Sequence, residues 1–116
     1  MEVNNGNIQL KELATQYFTT FSSKDINGLD AMFTDDVVLR DWESSAEGRT
    51  DVLAANQLIF DAVETIEVTP LAIYQEMDTI TAELSILIDD TNTLLVVDVI
   101  TFVDGKISNI RAYRGY

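Results

Sequence analysis

Apolar residues at Leu10, Leu13, Ala14, Tyr17, Phe18 and Phe21 recur at three-and-four spacing and predict a helix over Ile8–Ser22. Residues 1–7 are polar and are expected to be disordered. Asp25 can cap a second helix, Ile26 to Phe33, whose buried face is Ile26, Leu29, Met32 and Phe33 and which Gly28 weakens. Thr34-Asp35-Asp36 reads as a turn into a strand, Val37–Trp42, in which Val37, Leu39 and Asp41 share one face by the period of two. Glu43–Gly48 reads as a loop. Arg49 to about Glu64 reads as a third helix with Val52, Ala55, Ile59 and Val63 along one stripe.

After Glu64 the pattern turns to strands. Ile66–Met77 contains Pro70, which predicts a break, a bulge or an edge position. Thr79–Ile88 alternates: Ile80, Ala82, Leu84, Ile86 and Ile88 face inward and Thr79, Thr81, Glu83 and Ser85 outward. Asp89-Asp90-Thr91-Asn92 is a connecting turn. Thr93–Val103 is apolar on both faces and should be a central strand. Asp104-Gly105 is a hairpin signal, and Ile107–Tyr116 is the last strand. The expected class is therefore α+β: three N-terminal helices packed on a strongly curved, mainly antiparallel sheet, as a cone-shaped barrel with a cavity open at one end. No repeat or linker interrupts the chain, so one domain over 1–116 is expected.

Composition narrows the chemistry. The chain has 116 residues, 47% of them hydrophobic, with 20 acidic against 7 basic side chains and a formal charge of −13. Such a surface repels phosphate backbones and anionic membranes, so nucleic-acid and membrane partners are not expected. Cysteine is absent, which fits a cytoplasmic location and excludes thiol catalysis. Histidine is absent too, which removes imidazole bases and Ser-His triads. Acid–base work falls to Asp, Glu, Tyr or Lys. The Asp35-Asp36 pair is a weak cation signal, and a solvated turn is the simpler explanation.

Two carboxylates break the apolar pattern. Asp98 sits between Val96 and Ile100 on one strand face, and Asp41 shares a face with Val37 and Leu39. A buried, unpaired carboxylate takes up a proton and becomes a hydrogen-bond donor. Tyr17, on the inward helix stripe, is a second donor. Two donors suit a developing oxyanion, and a wetter Asp41 suits a base. The competing explanation for Asp98 is an ion pair with Arg111 or Arg114 on the next strand, where a plain hairpin sets residues 98 and 111 roughly opposite.

The chain resembles the ketosteroid isomerase group of the nuclear transport factor 2-like superfamily, which also holds the SnoaL-like polyketide cyclases. The resemblance runs from about Leu13 to Tyr113. It is carried by Tyr17, by Asp25-Ile26-Asn27-Gly28-Leu29, by Met32-Phe33-Thr34-Asp35-Asp36-Val37-Val38-Leu39-Arg40-Asp41, and by Gly48-Arg49. Val97-Asp98, Phe102, Asp104-Gly105-Lys106-Ile107 and Arg111-Ala112-Tyr113 continue it. It implies that Asp41 is the base moving a proton between two carbons of an unsaturated ketone, and that Tyr17 and a protonated Asp98 hold the dienolate oxygen, the pattern known for those isomerases. It implies a small apolar carbonyl ligand, no metal or organic cofactor, and a homodimer through the sheet.

This sequence departs from the group at three places. Trp42 follows the base where proline is usual. The loop from Trp42 to Gly48 is about two residues shorter. Asn56 stands where a tyrosine supports the first tyrosine's hydroxyl. Trp42, Asn56, Phe33, Val96 and Ile100 are the expected substrate contacts, although alternation turns Trp42 to the face opposite Asp41, where it could pack on a helix or a second subunit. A cyclase in which Asp98 leads, and a non-catalytic binding module using the same cavity, are the alternatives.

Overall fold

The computed structural model describes residues 6–115. The elements run α1 (Gly6–Ser22), α2 (Ile26–Met32), β1 (Phe33–Arg40), β2 (Ser45–Glu47), α3 (Arg49–Ala62), β3 (Ile66–Glu76), β4 (Thr79–Ile88), β5 (Asn92–Val103) and β6 (Lys106–Arg114). The class is α+β, as the patterning predicts. The strands form one six-stranded mixed sheet in the order β2-β1-β6-β5-β4-β3. Only β1 and β6 run parallel; the other neighbours are antiparallel. Among the described residues no helix is long and apolar enough to cross a membrane.

Several boundaries differ from the expected ones. Of the residues expected to be disordered, 1–5 lie outside the described residues, and Gly6 and Asn7 already belong to α1. Thr34–Asp36 is not a turn but the irregular start of β1, where pairing with β6 shifts between Phe33 and Val38. Its polar side chains face solvent, and a polar run alone does not distinguish a turn from such a strand. The supposed loop after Trp42 contains β2, which pairs with β1. Helix α3 ends at Ala62, and its most buried residues are Val52, Asn56 and Phe60, a stripe rotated from the expected one.

Local chemistry holds these elements. The Asp25 carboxylate accepts from the Gly28 amide at 3.0 Å and caps α2. Lys24 Nζ donates to the Phe60 and Val63 carbonyls at 2.9 and 2.6 Å, covering the carbonyl end of α3. Arg49 ties three elements: it reaches Asp30 at 3.2 Å, Asp35 at 2.7 Å and the Phe33 carbonyl at 3.2 Å. The core beneath is Ala14, Phe18, Leu29, Phe33, Val37, Ile80, Ile100, Phe102 and Ile107, all buried. Phe21 and Phe60 bridge α1 to α3 edge-on, with ring centroids 4.9 Å apart. Strand β3 lies at the sheet edge, and its register slips between Pro70 and Ala72, so proline marks both an edge and a bulge.

The β5–β6 hairpin carries one detail that matters for the site. Asp104 and Gly105 both take positive φ, 52° and 79°, as a tight two-residue turn requires. Phe102 then pairs with Ile107, but Thr101 pairs with Asn109, leaving Ser108 as an extra residue. That bulge moves the register by one, and a one-residue slip exchanges the faces of the strand. Asp98 therefore lies opposite Ala112, not Arg111.

Candidate active site

One face of the sheet and the helices α1 and α3 enclose a cavity of about 450 Å³, within the usual size for a small-molecule site. Its wall is mostly aliphatic and aromatic, with Leu39, Ile59, Ile66, Val68, Leu84, Ile86, Ile88, Leu94, Val96 and Ile110. Tyr17, Asp41 and Asp98 all line it, as do Trp42 and Asn56. The three residues picked out for chemistry come from α1, from the loop after β1 and from β5, and they meet in one space.

Tyr17 lies on the buried stripe of α1. Its ring is wedged among Phe18, Phe21 and Phe33, at centroid separations of 5.6, 6.0 and 6.3 Å. Burial, and then the negative charge of Asp98, push its hydroxyl above the ordinary tyrosine range, so it stays protonated. Among the described residues the hydroxyl has no hydrogen-bond partner, so a ligand is free to use it.

Asp98 is 8% exposed. Burial first, and the negative charge of Asp41 second, raise its carboxyl from 3.8 to about 7. No described residue bonds or ion-pairs with it. Arg111 cannot pair with it, because the bulge at Ser108 turns that side chain to the opposite face, where it reaches Asn109 at 3.5 Å. The same bulge brings Ala112 and Arg114 into the cavity wall.

Asp41 does not belong to β1. The strand ends at Arg40, and Asp41 Oδ1 accepts from the Glu43 and Ser44 amides at 2.8 and 2.7 Å and from Ser44 Oγ at 3.2 Å. Such an Asx turn replaces the strand ladder with local bonds and bends the chain. Strand alternation thus stops before Trp42, and both Asp41 and Trp42 line the cavity. The bonds engage one carboxylate oxygen and leave the other for a ligand.

Of the expected substrate contacts, Asn56 and Val96 line the cavity, whereas Phe33 and Ile100 do not. Both are fully buried: Phe33 backs the Tyr17 ring, and Ile100 lies one pleat deeper along β5 than Asp98. Lining residues that were not anticipated include Ile86, Ile88, Leu94, Leu58 and Arg114. Continuing the inward faces of β4 and β5 would have found the first three; Arg114 depended on the bulge. Among the described residues no cluster of acidic side chains could hold a metal ion.

The chain belongs to the SnoaL-like domain family, which matches residues 14–110. No curated protein matches the sequence. Solved structures share the fold at low identity. A Kribbella flavida protein provisionally named a ketosteroid isomerase is 20% identical, covers 95% of this chain and 80% of its own, and superposes with a TM-score of 0.83. A Sinorhizobium meliloti protein provisionally named a polyketide cyclase is 19% identical, with 91% and 97% covered and a TM-score of 0.81. An M. tuberculosis epoxide hydrolase is 19% identical, with 93% and 84% covered and a TM-score of 0.80. Three different named activities on one fold leave function to be argued from the cavity.

Proposed function

We propose that the protein is an isomerase that moves a proton within a small apolar carbonyl compound. The substrate sits in the cavity between the sheet and the helices, with the carbonyl oxygen held by Tyr17 and protonated Asp98. Asp41 removes a proton from the carbon next to the carbonyl and returns it to the γ carbon. The double bond shifts, the carboxylate is regenerated, and no electrons are gained or lost. Enolate charge develops on the oxygen, where two donors stabilise it in a water-poor site. Fixing base and donors around one substrate supplies the rest of the rate.

The observation that carries this reading is an unpaired, buried Asp98 with a carboxyl raised to about 7, in one apolar cavity with Tyr17 and Asp41. An acid of ordinary strength would be ionised at neutral pH and would repel an enolate. A Δ5-3-ketosteroid is the first substrate to assay, with wild type and Asp41→Asn compared. Isomerisation lost in the variant supports the reading. A wild type without isomerisation, or an unimpaired variant, removes the steroid version.

A binding role for the same cavity is the second reading. It is favoured by Asn56, which stands where a supporting tyrosine is expected, and by the Tyr17 hydroxyl, which no described residue holds. A SnoaL-like cyclase with Asp98 as the leading acid is a further enzyme version; flat polyaromatic ligands should then stabilise the fold more than steroids. We also propose a homodimer through the outer sheet face, where Leu95 and Tyr113 are exposed beside the half-buried Val97 and Val99. Sedimentation should give twice the chain mass.

A further inference from the structure

Asn56 is the one polar residue of the buried stripe of α3, between Val52 at 0% and Phe60 at 4% exposure. It is itself 2% exposed, and its Oδ1 is fully shut off from solvent without any hydrogen-bond partner among the described residues. An apolar side chain would fill that helix position at lower cost, since an unpaired buried carbonyl forfeits its hydration and receives nothing back. Buried orphans in folded proteins call for a partner that the chain alone does not supply. Asn56 also lines the cavity, so a shift of the carboxamide toward that space would let the partner come with the ligand.

The hydrogen-bonding sense of the neighbours sharpens this. Tyr17 stays protonated, and Asp98 is protonated below about 7, so both offer hydrogens to the ligand. They select for an acceptor, the carbonyl of the proposed reaction. Asn56 Oδ1 has the opposite sense and selects for a donor. We propose that Asn56 is a specificity residue and that the ligand is a hydroxylated carbonyl compound, its hydroxyl donating to Asn56 Oδ1. The inference rests on the proposed carbonyl chemistry for the acceptor half, and on the unpaired carboxamide for the donor half. A site that must bond a ligand hydroxyl rejects the analogue lacking it, because its own polar group is then left unpaired.

The test is a calorimetric binding panel: apolar fused-ring ketones, their singly hydroxylated derivatives over several ring positions, and the methyl ethers of those derivatives. At least one hydroxylated member should bind about tenfold or more tighter than its parent ketone, the size of one satisfied hydrogen bond. Its methyl ether, an acceptor without a donor, should lose that gain. In Asn56→Leu, and in Asn56→Ala should the larger side chain misfit, the ratio between hydroxylated and parent ketone should fall to near one. Removing the orphan should also raise the melting temperature of the empty protein. No gain from any hydroxyl, a gain retained by the ether, or a ratio unchanged in both variants overturns the proposal. Isomerisation of a β,γ-unsaturated parent ketone by wild type is measured separately: its absence removes that ketone as a substrate of the proposed reaction, while the affinity ratios still judge Asn56.

Discussion

Replacing Asp98 by asparagine should make the protein's stability lose a pH dependence that the wild type has. The native state holds the Asp98 proton up to about pH 7, whereas an unstructured chain releases it near the ordinary value of 3.8. Between those limits the folded form binds the extra proton. Stability therefore falls as pH rises through this window and is level above it. A difference of roughly three pH units at 1.36 kcal/mol each amounts to about 4 kcal/mol. Asparagine is close in shape, carries no charge and adds no such slope. The variant should match the wild type within about 1 kcal/mol near pH 4 and exceed it by about 3–4 kcal/mol near pH 9. For a chain of this length 1 kcal/mol is about 4 °C, so the melting temperatures should part by roughly 15 °C at the alkaline end. Circular dichroism melts of both proteins at several pH values read this directly. Taking the difference between them cancels the slope from the other acidic residues. Parallel curves would show that Asp98 ionises like an exposed carboxylate, and the oxyanion-donor role would go with it.

The other predictions follow from the same contacts. Asp41→Asn removes the second cause of the Asp98 shift, so carboxyl NMR should find the Asp98 pKa lower than in wild type, though still above 3.8 because burial remains. Because kcat/KM reports the free protein, it should fall about tenfold per pH unit above about 7 as Asp98 loses its proton. Tyr17→Phe should cut kcat by about 10²–10³-fold while leaving the melting temperature within a few degrees, since no described residue uses the hydroxyl. Gly28→Ala should destabilise by about 1–2 kcal/mol in urea titrations, despite alanine's better helix propensity. A Cβ there would lie 2.6 Å from Asp25 Oδ2 and 2.8 Å from Thr20 Cγ2, against the cap that starts α2.

Much of the site could be read from side-chain type and period. Asp98 declared itself because β5 is apolar on both faces, so any carboxylate in it must be accounted for. Tyr17 followed from the helical stripe, and β4 from its alternation. The remainder depended on backbone details that leave little trace in sequence. Ser108 has no bulge signature, yet its insertion exchanges Arg111 for Ala112 and so leaves Asp98 unpaired. The end of β1 was partly legible: an aspartate followed by Trp42-Glu43-Ser44 can fold back on its own amides, and that turn sends Trp42 to the cavity. Phe33 was placed correctly in the core stripe but misassigned to the ligand, because an inward side chain reaches a cavity only where nothing else fills the space first. For Phe33, the Tyr17 ring does.

Proton abstraction from carbon next to a carbonyl is the central claim, and solvent deuterium exchange measures it without requiring a substrate that isomerises. An apolar cyclic ketone incubated with the protein in heavy water should take up deuterium at its α carbon, followed by NMR, much faster than in buffer alone. The uptake should fall to the buffer rate in Asp41→Asn. Deuterium uptake no faster than buffer across a panel of ketones shown to occupy the cavity would contradict the account and leave the protein a binding module.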